Sequence, residues 1–153
     1  MSLFAVIDTN VLLSALLSKS EDAAAVLVLN AVFDGRITLL YHEDILAEYE
    51  DVLCRARFHL DRADVEALID ELRRIGLPLS PATVEEAFPD PDDRIFYAVV
   101  MEKRKTDDAW LVTYNLKHYP QKPFVVTPGE MLRVLEAAEG FRFGDSPSVP
   151  ASP

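Results

Sequence analysis

The 153-residue chain has a single cysteine, Cys54, so it forms no internal disulfide, and its Cys and His residues never recur at the spacing of a structural zinc site. Cys54 follows Val52 and Leu53 in a helical segment and reads as a core residue, which sets aside a nucleophilic pairing with His42, His59 or His118. Long apolar runs are missing as well: none reaches the roughly eighteen residues that span a bilayer. The N-terminus shows no basic segment leading into an apolar stretch and a cleavage site. These absences predict a soluble, cytoplasmic protein with no membrane partner. Positive charge is scarce, with 15 Lys and Arg against 26 Asp and Glu and a formal charge of −11. That balance argues against tight, purely electrostatic binding of nucleic acid. It leaves a nucleic-acid substrate open, because carboxylates gathered to hold a metal add negative charge, and the cation they bind reverses the local field.

Half of the residues are apolar, enough for one continuous core and one domain at this length. Residues 3–7 form an apolar run that stops at Asp8-Thr9-Asn10, the pattern of a buried strand ending in a polar turn. Helical composition follows over 11–17, breaks at 18–20 and resumes over 22–33, up to the stop at Asp34-Gly35. Residues 37–41 read as a second strand, 43–54 and 61–75 as two helices, the second closed by Gly76 and Pro78, and 77–79 as a minor strand. Within the connector 80–89, Thr83 and Glu86 have capping-box spacing. Asp90 and Pro91 then fit the N-cap and first position of a helix running to about Arg104. Strands over 109–113 and 124–126 follow. A last helix starts at Thr127, with capping-box spacing to Glu130, and stops at Gly140, which completes a domain over residues 1–140. The Pro- and Ser-rich stretch 141–153 has almost no core-forming residue and reads as a loosely ordered tail. Short apolar strands alternating with amphipathic helices predict the α/β class, with a mostly parallel sheet covered on both faces.

Ligands of such sheets bind beyond the carboxyl ends of the strands. Three polar clusters fall there: Asp8-Thr9-Asn10, the acids of Asp90 to Asp93, and Thr113-Tyr114-Asn115. Hard divalent cations take oxygen ligands from a few carboxylates and leave other positions to water and phosphate. Glu48 joins the set by helix geometry. At about 100° per residue, Ile45, Leu46, Tyr49, Val52 and Leu53 make one apolar arc, and Glu48 lies at its edge about 40° from Val52. Each feature also has a plain structural explanation. Asp8 can be a helix cap, the acids near Asp93 can complement a helix dipole, Asn115 can be a turn residue, and Glu48 can reach past the core to water.

These residues resemble the PIN-domain family, specifically its VapC-like toxin-component branch. The likeness runs from about Phe4 to Leu135 and rests on four pieces in order: Val6-Ile7-Asp8-Thr9-Asn10-Val11, Ile45-Leu46-Ala47-Glu48-Tyr49, Asp90-Pro91-Asp92-Asp93-Arg94-Ile95-Phe96, and Leu111-Val112-Thr113-Tyr114-Asn115-Leu116-Lys117-His118. The resemblance implies a three-layer α/β/α sandwich, a metal-dependent RNA endonuclease and, commonly, a homodimer. It implies Asp8, Glu48 and Asp93 as ligands of Mg²⁺ or Mn²⁺, with Asn115 at the fourth, usually acidic, catalytic position. The amide at Asn115 removes one charge, and Tyr114 stands where glycine is more usual.

Around those residues, Thr113 is expected to orient Asp8, with Thr9 and Asn10 in support, since ligating carboxylates are themselves hydrogen-bonded. Arg94, Tyr114, Lys117 and His118, near the mouth, are the candidates for contact with RNA. If the toxin analogy holds, an antitoxin protein covers the acidic cleft. Two other readings compete: a non-catalytic module of the same fold that binds RNA or protein, and a phosphohydrolase with Asp8 as covalent nucleophile. Against the latter, Asp8 lacks a second carboxylate two residues on, and no glycine loop cradles phosphate.

Overall fold

The protein is described by a computed structural model over residues 3–140; the tail expected at 141–153 lies outside the described residues. The first apolar run, Leu3–Ile7 (β1), is the middle of the sheet. It pairs in parallel with Ile37–Tyr41 (β2) on one side and with Ala109–Val112 on the other. Leu77–Pro78 (β3) adds to β2, and Val125–Val126 adds to Ala109–Val112, the fifth and fourth strands (β5 and β4). The order is β3-β2-β1-β4-β5, parallel throughout. Consecutive residues Ala5, Val6 and Ile7 are all buried, and so are Leu111 and Val112. Successive strand residues point to opposite faces, so both faces of the sheet are covered.

The covering layers are six helices: Thr9–Leu17 (α1), Ala24–Phe33 (α2), Glu43–Leu53 (α3), Arg62–Ile75 (α4), Arg94–Arg104 (α5) and Pro128–Glu139 (α6). α2 packs on α1 and α6, α4 packs on α3, and α5 lies against β1 and β4. The architecture is the expected α/β/α sandwich. In α5, Phe96, Tyr97, Ala98, Val99 and Val100 are buried in succession, which marks it as a helix sunk deep in the core. At α6 the capping box forms as its spacing predicts: Thr127 accepts from the Glu130 N–H, and Glu130 reaches back to the Thr127 N–H.

Two local expectations are corrected. The segment opened by Asp90 and Pro91 begins as a single 3₁₀ turn, Pro91–Asp93, and the α-helix starts only at Arg94. Asp90 does cap, accepting the Asp92 N–H at 3.0 Å, but a carbonyl-to-third-residue bond from Asp90 to Asp93 tightens the turn. Thr83 and Glu86 make no capping box, because residues 81–88 run extended as a strap along α5. The Ala82 N–H donates to the Ala98 carbonyl, the Tyr97 hydroxyl donates to Glu86, and Arg94 donates to the Val84 carbonyl. Gly76 ends α4 as expected. Its φ is −82°, an ordinary value. A Cβ there would meet the Leu72 carbonyl oxygen and Tyr41 Cδ1, both at 2.8 Å, so the position demands glycine for space.

Candidate active site

Asp8 is the first residue beyond β1, and it is 5% exposed. It stands at the cap position of α1, yet its carboxylate makes no capping bond to that helix. Three side chains donate instead to one of its oxygens, Oδ2: the Thr113 hydroxyl at 2.8 Å, the Tyr119 hydroxyl at 3.0 Å and the Asn10 amide at 3.1 Å. Thr113 is fully buried and is fixed in turn by the Asn115 backbone N–H, at 2.9 Å to its oxygen. Asn10 accepts the Tyr114 backbone N–H at 3.0 Å, which ties the turn after β4 to the turn after β1. A carboxylate held this way has one defined rotamer and a fixed direction.

Glu48 sits mid-helix on α3 and is half-buried, as the arc count predicts. The Thr9 hydroxyl donates to its Oε2 at 2.5 Å, so the Thr9 side chain supports Glu48. Asp93 closes the 3₁₀ turn before α5, is 9% exposed, and lies 3.1 Å from Nδ1 of His118. Behind this set, the Tyr49 hydroxyl donates to the carbonyl of Ile7, the residue before Asp8. Among the described residues no buried side-chain polar atom lacks a partner.

The electrostatics follow from burial and crowding. Burial is the largest influence on each of the three acids and raises all of them. For Asp93, burial and then the charge of Asp8 push the carboxyl up to about 6, against the relief given by His118. For Glu48, burial leads, the Thr9 bond offsets part of it, and the charges of Asp8, Asp93 and Asp92 add to the rise. Tyr119 and Tyr49 stay protonated, because burial and the neighbouring carboxylates both oppose a phenolate. Crowded, partly desolvated carboxylates are a setting that a cation relieves.

The donor set is all oxygen, which suits a hard divalent cation. Among the described residues, however, no group of three or more His, Cys, Asp or Glu side chains is arranged to hold a metal ion. The residues therefore fit a cation carried by one or two carboxylates and completed by water and substrate phosphate, the usual mode for magnesium. Asp8 and Asp93 are the buried pair suited to that part.

Other sequence candidates fall at the rim. Arg94 is committed to the strap, with a 2.8 Å bond to the Val84 carbonyl and its guanidinium 5.0 Å from the centroid of the Phe88 ring. Next to it a cleft of about 620 Å³ opens between the strap, α3 and the start of α5, bordered by Glu48 and Asp92. Tyr114, Asn115 and Lys117 are exposed, while His118 reaches Asp93. Two contributors escaped the sequence reading. Tyr119 lies 111 residues from Asp8 with no periodic signal to link them. Phe88 packs edge-on against both Tyr97 and Tyr119 and so joins the strap to the site.

Fold and site together define an α/β protein whose buried acids sit beyond the carboxyl ends of a parallel sheet. A family model described as PIN domain matches residues 5–117, and the chain belongs to that family. PIN domains are generally nucleases that use divalent metals. No curated protein matches the chain. Among the described residues no helix is long and apolar enough to cross a membrane.

Proposed function

We propose that the chain is a metal-dependent endoribonuclease, the VapC-like toxin of a toxin–antitoxin pair, using Mg²⁺ or Mn²⁺. The observation that carries this reading is that buried Asp8 is held through Oδ2 by Thr113, Tyr119 and Asn10, Glu48 is bonded by Thr9, the residue next to Asp8, and Asp93 is met by His118, the residue before Tyr119. A bound divalent ion would supply neutralisation of the scissile phosphate and acidification of a water for in-line attack. Asp8, pinned through Oδ2, and Asp93, braced by His118, would hold the cation. Glu48 would accept a proton from the attacking water, and burial raises its pKa above the ordinary glutamate value, which strengthens it as a base. Thr113 and Asn10 set the direction of Asp8, and Thr9 sets that of Glu48. Exposed Lys117 is the basic group at the rim for backbone contact with RNA, since Arg94 bonds the Val84 carbonyl and His118 meets Asp93. The chain acts in the cytoplasm as a homodimer, restrained by an antitoxin over the acidic cleft.

The test is cleavage of single-stranded RNA by the purified chain with manganese, then with chelator, alongside Asp8→Asn. Cleavage that needs the metal and disappears in the variant is expected; undiminished cutting by Asp8→Asn refutes the assignment. A second reading, a non-catalytic PIN-fold module that binds RNA or protein, is favoured by one observation: Asn115, where an acid is usual, is an exposed amide that supports Thr113 only through its backbone N–H. Calorimetry with manganese separates the two, since a module without the chemistry takes up no ion.

A further inference from the structure

Exposed large apolar side chains are few among the described residues: Leu17, Phe33, Tyr114 and Leu116. Two of these four lie in one turn, 114–117, immediately beyond buried Thr113, whose hydroxyl donates to Asp8. Tyr114 leaves 46% of its surface in solvent and Leu116 39%. Exposure here is not looseness. The Tyr114 N–H is bonded to Asn10 at 3.0 Å, the next N–H is bonded to Thr113 at 2.9 Å, and a 3₁₀ turn, Leu116–His118, follows at once. The backbone that carries the ring is thus anchored on two of the three side chains that hold Asp8. Lys117, also exposed, adds a positive charge to this lip.

We infer that Tyr114 is a base-stacking platform that docks an unpaired nucleotide of single-stranded RNA next to the scissile phosphate, with Lys117 alongside for the backbone. A half-exposed aromatic ring on an anchored backbone, with a cation in the same turn, is the combination that binds single strands without reading sequence, because every base offers a π-face. A duplex hides those faces, so the lip selects unpaired RNA over paired. The inference rests on the nuclease reading for its scissile phosphate, but its binding step does not need the metal.

The experiment measures binding of an unpaired RNA hexanucleotide in chelator, where no strand is cut, and of the same chain with single abasic positions. Tyr114→Ala should weaken the intact strand by roughly five- to a hundredfold, while Tyr114→Phe and Tyr114→Trp keep most of the affinity. An abasic ribose at the stacked position should abolish the difference between wild type and Tyr114→Ala. Equal binding by Tyr114→Ala, or full retention by Tyr114→Leu, overturns the inference, and the latter points to an apolar protein-docking lip. A wild-type chain with no affinity for the strand overturns it too. RNA binding through Tyr114 with no manganese-dependent cutting would sink the nuclease reading alone; cutting with an unchanged KM in Tyr114→Ala would sink only the platform.

Discussion

The Tyr119 hydroxyl donates a 3.0 Å hydrogen bond to Oδ2 of Asp8 across 111 residues of chain, and it shares that oxygen with Thr113 and Asn10. Three donors on one oxygen fix the rotamer of a carboxylate that burial would otherwise drive toward its protonated form. Tyr119→Phe keeps the ring, and with it the edge-on contact to Phe88, but deletes the donor. Manganese affinity, read by calorimetry, should fall about tenfold or more, as is typical when a bond to a ligating side chain is lost. Stability should change by only about 1 kcal/mol in a denaturant titration, because two donors remain. Unchanged affinity would show that Tyr119 merely fills space.

Asp93 gives the pH dependence. Its carboxyl is raised from 3.8 to about 6, first by burial and next by the charge of Asp8. The folded chain therefore favours the protonated form, and this group's stabilising share is complete below about pH 4 and lost as the pH rises through about 6. Asp93→Asn copies the neutral state at every pH. In chelator, urea unfolding should find the variant gaining on wild type between about pH 4 and pH 7.5, by on the order of 1–2 kcal/mol. Parallel stability curves would mean that Asp93 titrates alike in the folded and unfolded chain. Manganese affinity should weaken below about pH 6, since a proton and the cation compete for the same carboxylate.

Gly76 tests the fold apart from the chemistry. It ends α4 just where the chain enters β3, pressed against the Leu72 carbonyl oxygen and the Tyr41 ring. The ring has little room to retreat, because it is buried and its hydroxyl bonds the Arg73 carbonyl at 3.2 Å. Gly76→Ala should cost about 2–3 kcal/mol in urea unfolding, as overpacking against backbone does. Gly129→Ala, in the first turn of α6 with nothing within 4 Å of the added Cβ, is the control and should be neutral or slightly stabilising.

The contrast between Glu48 and Tyr119 shows which parts of the site were legible in the amino-acid order. Glu48 could be placed by counting around α3, because helix geometry turns spacing into direction and the apolar arc names the buried side. Asp8 and Thr113 were legible because each ends an apolar strand run, where a parallel sheet places its ligands. Tyr119 follows a single 3₁₀ turn, Leu116–His118, too short for spacing to carry a direction. The strap at 81–88 lies in the connector 80–89, where the sequence shows only the capping-box spacing of Thr83 and Glu86. Its exposed and less exposed residues alternate as in a strand, but it has no strand to pair with: its partners are the Ala98 carbonyl and the side chains of Arg94 and Tyr97 on α5. Pattern alone does not show which tertiary groups will satisfy an extended backbone.

The strap also makes a prediction about coupling between a surface segment and the buried acids. Phe88 meets Tyr97 at 5.6 Å and Tyr119 at 6.2 Å between ring centroids, and Arg94 lies 5.0 Å above its own ring. Phe88→Ala removes all three contacts at a position that is only half-buried, so the cost should be about 2 kcal/mol, below that of a fully buried phenylalanine. The loss should be local. Hydrogen exchange at the Ala82 N–H, which bonds the Ala98 carbonyl at 3.0 Å, should speed up markedly, while the amides of β1 and β4 keep their protection. Because Tyr119 loses one wall of its packing while keeping its hydroxyl, manganese binding should weaken less than in Tyr119→Phe. If Phe88→Ala weakens the ion as much as Tyr119→Phe does, the strap, rather than the hydroxyl, is what holds Asp8 in place.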